Sequence, residues 1–112
     1  MFTKYDEYEL LELFENEPII ISSKEAGMFI YTKQSSNRIK IVLSFSIYEK
    51  ECCISLNFEE HLIFESFLKN VEYLRSENGY CLRIHQNEGT SDYLIYFKPN
   101  ILIKIEKTFE VK

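Results

Sequence analysis

The chain has 112 residues, 18 of them acidic and 13 basic, and its composition is 46% hydrophobic and 28% charged. That apolar content excludes a disordered acidic tail, which lacks the surface needed to offset ordering entropy, and the length predicts a single domain, 1-112, that needs no metal or disulfide to build a core. No apolar run approaches the roughly 20 residues of a membrane helix, and the start Tyr5-Asp6-Glu7 carries acids where a secretory signal carries positive charge, so a cytoplasmic location is expected.

The charge imbalance is local. Asp6, Glu7, Glu9, Glu12, Glu15 and Glu17 face only Lys4 within residues 1-17, whereas residues 18-112 contain equal numbers of acids and bases. This first segment predicts a helix from Thr3 or Lys4 to about Asn16, with Thr3-x-x-Asp6 resembling a capping box and early acids at the positive end of the helix dipole. At 100° per residue Leu10, Leu11, Leu13 and Phe14 share one arc, and Glu9, Glu12 and Glu15 form a row opposite, flanked by Tyr5 and Tyr8. Such a row is either a solvated face or a docking strip for a basic partner. The absence of a base four residues on to relieve the repulsion, and the enrichment of Tyr in interfaces, favour the strip.

Asn16-Glu17-Pro18 ends the helix. Strands are then predicted at Ile19 to Ser23, Met28 to Lys33, Arg38 to Ile47 and Cys52 to Asn57. In the third, Ile39, Ile41, Leu43, Phe45 and Ile47 alternate with a more polar set, the period of a half-buried strand. A second helix is predicted from the N-cap Asn57, with Glu60 at the capping-box position, to the left-handed cap Asn78-Gly79. Its apolar stripe would be Ile63, Phe64, Phe67, Leu68, Val71 and Leu74. Strands at Tyr80 to Gln86, Tyr93 to Lys98 and Ile101 to about Val111 finish the chain, with a polar loop Asn87 to Asp92. The order helix, four strands, helix, three strands, joined by short links, predicts an α+β fold: an antiparallel sheet with helices packed on one face.

Chemistry is sparse. Cys81 and His85 point to one side of a strand, but about 13 Å of extended backbone separates them, too far for a nucleophile and its base. His61 and His85 are the only histidines, and Cys52-Cys53 lacks a chelating spacer. Reduced thiols, no metal and no cofactor are expected, and no enzyme activity. Basic residues are scattered singly, as in Arg38-x-Lys40, which argues against direct nucleic-acid binding.

A small, acidic, Tyr- and Phe-rich α+β chain, with the passage Cys53-Ile54-Ser55-Leu56-Asn57-Phe58-Glu59-Glu60, resembles the immunity proteins of bacterial contact-dependent inhibition and related polymorphic toxin systems. The resemblance implies a cognate toxin domain as partner, a basic nuclease, neutralised by blocking its active site or substrate surface. On that reading Asp6, Glu9, Glu12, Glu15 and Glu17 meet toxin Lys or Arg side chains, and Tyr5 and Tyr8 supply packed contact area. A type III secretion chaperone and a small ligand-binding domain or enzyme, with His61, His85 or Cys81 in a pocket, are the alternatives.

Overall fold

A computed structural model describes residues 2-87 and 91-107. One helix, α1 (Glu7–Phe14), precedes β1 (Ile19–Ile20), a 3-10 turn at Lys24–Ala26, and then β2 (Met28–Gln34), β3 (Ile39–Ser46), β4 (Glu51–Phe58), β5 (His61–Leu68), β6 (Val71–Glu77), β7 (Cys81–Gln86), β8 (Ser91–Tyr96) and β9 (Leu102–Lys107). The strands form two antiparallel meanders, β1-β2-β3-β4-β5 and β6-β7-β8-β9. Sheet dominance corrects the predicted architecture: two sheets and α1, the one α-helix among the described residues, share a single core.

The first four predicted strands are present, though β1 is only two residues long. In β3 the alternation falls as read, with Ile41, Leu43 and Phe45 buried, and β4 pairs with β3 in the register Leu43↔Ile54 and Phe45↔Cys52. The predicted second helix is absent; its residues form β5 and β6 instead. Asn57, expected as an N-cap, pairs across the sheet with Leu62 beside a bulge, and Phe58 pairs with His61 around Glu59-Glu60. Glu59 takes the left-handed conformation there (φ 56°). Asn78-Gly79, expected as a helix cap, uses its positive φ values of 61° and 74° to turn β6 into β7. The apolar residues are dense enough to fit both a 3.6 and a 2 period. Their β-branched and aromatic members, Ile63, Phe64, Phe67, Val71 and Tyr73, sit better on a pleated surface than on a helix.

The final three strands match the prediction closely, while the extension to Val111 and the centre of the Asn87–Asp92 loop lie outside the described residues.

One core joins the layers. Ile41, Leu43 and Ile54 of the first sheet, Leu82, Ile84 and Ile95 of the second, and Leu10 and Phe14 of α1 are all buried in a single cluster. Each such side chain contributes about 1.5–3 kcal/mol by leaving water. The N-terminal segment ties the sheets. The Thr3 amide donates to the Ile47 carbonyl, and its hydroxyl donates to the Val71 carbonyl at 2.7 Å. Lys4 bridges Tyr73 in parallel along the free edge of β6. Thr3 is therefore extended and buried, so α1 starts later than predicted, at an Asp6 cap.

Strand and helix differ measurably at Phe67 and Leu68, which would share an apolar helical stripe. In β5 Phe67 is 73% exposed and Leu68 is buried. Urea unfolding is expected to show Phe67→Ser changing stability by about 0.5 kcal/mol or less, and Leu68→Ala costing about 2–5 kcal/mol.

Candidate functional site

The acidic helix forms because the Asp6 carboxylate accepts hydrogen bonds from the amides of Tyr8 (2.8 Å) and Glu9 (3.3 Å), filling two positions that have no intrahelical acceptor. Glu7 and Glu9 lie in its first turn, where the dipole favours them. Glu15 ends it in a left-handed cap. Leu10, Leu13 and Phe14 are buried, as the arc predicted, whereas Leu11 is exposed.

The predicted row of acids is partly engaged within the fold. Glu9 accepts from the backbone amide of Ser76 in β6 at 2.9 Å. Glu15 forms an ion pair with Lys33 of β2, which holds its carboxyl below the usual value through the hydrogen bond and the charge. Glu12 lies over the β6–β7 turn, where a Cβ added to Gly79 would come within 3.2 Å of its Oε1. The repulsion left unrelieved along the helix is thus relieved across space, by a strand edge and a lysine from β2. Tyr5 is part of the aromatic packing, its ring 5.3 Å from Phe45 and 5.7 Å from Phe29. Tyr8 is 77% exposed, and Glu17 is exposed.

Of the seven predicted site residues, Tyr5, Tyr8 and Glu17 meet at one place. With Glu7, Lys24 and Tyr31 they line an open recess of about 260 Å³ between α1 and the β1–β2 edge. Burial, and after it Tyr5, Glu7 and Glu17, push the Tyr31 hydroxyl up to about 12. Burial and Glu7 raise Tyr5 as well. Burial is the larger cause at both hydroxyls, and the carboxylates add to it. The sequence offers no sign of Tyr31's part, because alternation along β2 places its ring in the core and says nothing of its hydroxyl. A second, more apolar recess of about 430 Å³ lies across β2 to β5, lined by Met28, Phe45, Cys53 and Phe67 among others.

The outer face of the second sheet carries a charged cluster that spacing alone does not reveal. Arg83 of β7 donates to both carboxylate oxygens of Glu77 (2.7 and 3.2 Å), to Asp92 (2.7 Å) and to Glu106 (3.0 Å). These partners lie 6, 9 and 23 residues away, and only the β6-β7-β8-β9 register brings them together. The His85 Nδ1 lies 2.8 Å from Asp92, and its ring stacks on Tyr73 at 4.9 Å. Arg75 covers the other partner, its guanidinium carbon 4.5 Å from the Tyr73 ring centre. Cys81 is buried on the same strand, and burial, with Glu77 next, pushes its thiol up, so it stays protonated at neutral pH. The cluster reads as an ion-paired platform rather than a nucleophilic centre. Among the described residues no group of three His, Cys, Asp or Glu could hold a metal, and no helix is long and apolar enough to cross a membrane.

Two variants probe these assignments. Arg83→Gln leaves three carboxylates facing one another and is expected to lower stability by about 1.5–3 kcal/mol at neutral pH. Glu15→Gln is expected to be less stable than the parent near pH 7. Because the folded pKa of Glu15 is depressed, its contribution exists above the unfolded value and disappears as pH falls through the folded one. The difference between the urea midpoints of parent and variant should therefore shrink as pH falls below the usual glutamate range.

No family model matches the sequence, and no curated protein matches it. Among solved structures, the fold is similar to a chain of the contact-dependent growth inhibition toxin–immunity protein complex from Klebsiella pneumoniae 342. The two are 26% identical and superpose with a TM-score of 0.79, over 95% of this chain and 98% of the other. The resemblance to contact-dependent inhibition immunity proteins read from the sequence thus extends to the three-dimensional fold over nearly the whole chain.

Proposed function

We propose that this chain is the immunity protein of a contact-dependent inhibition pair, binding its cognate toxin domain and blocking the active site or the substrate surface. The observation that carries the reading is the end-to-end likeness to a chain of a toxin–immunity complex. The chain's own chemistry supports the inhibitor role over the toxin role. Its buried thiols are held protonated, Cys52 more strongly than Cys81, its strongest cation is saturated by three carboxylates, and its net charge is −5.

The toxin is a nuclease with a basic surface, because an enzyme that holds a polyanion needs cationic groups and an acidic inhibitor then complements it. Inhibition takes place in the cytoplasm, where such a substrate lies. The docking face runs along α1. Tyr8, Glu12 and Glu17 contact the toxin, while Asp6, Glu9 and Glu15 hold the helix that presents them, and Tyr5 forms the floor beside it. The exposure of Tyr8 and Glu17 supports this division.

The test is co-expression with the polypeptide encoded beside this chain's gene. Growth is expected to be arrested by that polypeptide alone, restored by the chain, and accompanied by a stoichiometric complex in size-exclusion chromatography. Raising salt from about 50 to about 500 mM should slow association roughly tenfold. Continued arrest with no complex formed would overturn the immunity reading.

A further inference from the structure

Tyr31 is 2% exposed, yet its hydroxyl has no hydrogen-bond partner among the described residues. No polar side-chain atom that is cut off from solvent lacks a partner among those residues, so the Tyr31 hydroxyl reaches water through the recess it lines. Buried polar groups are ordinarily satisfied, and one left open at the floor of a concave site invites a ligand. Glu7 and Glu17, both exposed, stand at the same recess without an ion-pair partner among the described residues. Lys24 is the one base that lines it, which leaves the site with one net negative charge. The ring of Tyr8 stands free beside it, and Leu11, Pro18 and Ile20 form apolar walls.

We infer that this recess is a socket for one arginine side chain of the toxin domain, its guanidinium held between Glu7 and Glu17 against the Tyr5, Tyr8 and Tyr31 side chains. The inference rests on the immunity reading for its occupant and deepens it by assigning the anchor. A guanidinium suits the site in three ways. It is planar and weakly hydrated, so it stacks on tyrosine faces. Its five donors can serve two carboxylates and the phenol oxygens together. Its methylenes cover the apolar walls. An ammonium satisfies the charge but has neither the plane nor the fork. A volume of about 260 Å³ leaves room for the head group and part of its stem. Such a buried, aromatic-lined contact for arginine is the kind of site where binding energy concentrates.

Two measurements decide it. In the first, the full chain is titrated with N-acetyl-arginine methylamide while the tyrosine ring signals are followed by NMR. The citrulline and lysine analogues serve as controls. Saturable shifts at Tyr5, Tyr8 and Tyr31 are expected with the arginine compound, at roughly millimolar affinity, and none with the citrulline compound. The double variant Glu7→Gln/Glu17→Gln should weaken binding about tenfold or more, Tyr31→Phe about threefold, and Lys24→Gln should strengthen it. Equal response to citrulline or to lysine, shifts centred on other tyrosines such as Tyr48 or Tyr93, or no response at all would overturn the socket. In the second, affinity for the toxin should fall about tenfold or more in the double variant and stay unchanged in Glu49→Gln, which lies in the exposed turn between β3 and β4. If the double variant binds the toxin as the parent does, the socket is overturned and immunity stands. If the parent itself neither binds nor protects, the immunity reading fails, and with it the named occupant.

Discussion

The ring of Phe14 is fully buried, 5.4 Å from Tyr31 of β2 and 4.9 Å, edge to face, from Phe97 just past β8. A single side chain of α1 therefore touches both sheets. Tyr31 in turn stacks on Phe45, which meets Phe29 and Tyr5. Aromatic pairs of this kind add about 0.5–1.5 kcal/mol beyond the area they bury, but their greater effect here is positional. They fix where α1 lies, and so where its acids and tyrosines point. The recess beside α1 exists because the helix is wedged against β2 at this spot, with Pro18 carrying the chain away from its end.

Helix position also governs how the negative charge is used. Five excess charges in a short segment would ordinarily repel one another along the helix. Glu9 instead meets a strand-edge amide and Glu15 a lysine, so part of the charge holds α1 to the sheets. What remains outward, at Glu7, Glu12 and Glu17, is what a basic partner would meet. The second sheet disposes of charge differently. Arg83 is shared among three carboxylates, so that group keeps an excess of negative charge beside the platform of Tyr73, His85 and Arg75.

The contrast between β3 and the β5–β6 region shows why part of the fold was legible and part was not. In β3 every second residue is apolar and its neighbours are mostly polar, so only one period fits. In residues 57-79 the apolar set satisfies two periods, and the turns that separate the strands carry no glycine signal at Glu59-Glu60 or Lys69-Asn70. The chain has three glycines, and most of its turns place Arg, Lys, Glu or Asn at positive φ instead. Each such residue costs roughly 1–2 kcal/mol, a strain that cross-strand pairing offsets. Asn78-Gly79 takes the left-handed conformation, but a left-handed pair can end a helix or close a hairpin, and nothing local chooses between them.

From the sequence alone came the confinement of the excess charge to the first 17 residues, the apolar arc of the short helix within them apart from Leu11, most of the strands and their antiparallel links, and the resemblance to immunity proteins. These depend on composition, on spacing of a few residues and on general character, which a linear chain displays directly. Tertiary structure decided the rest: that Thr3 is a buried tie rather than a cap, that Glu9 and Glu15 are bound within the fold, that Arg83 gathers carboxylates from three strands, and that Tyr31 opens its hydroxyl toward Glu7 and Glu17. Each of these joins residues distant in the chain through strand register and layer packing. Registers are chosen by the whole buried core at once, so no single segment of sequence carries them.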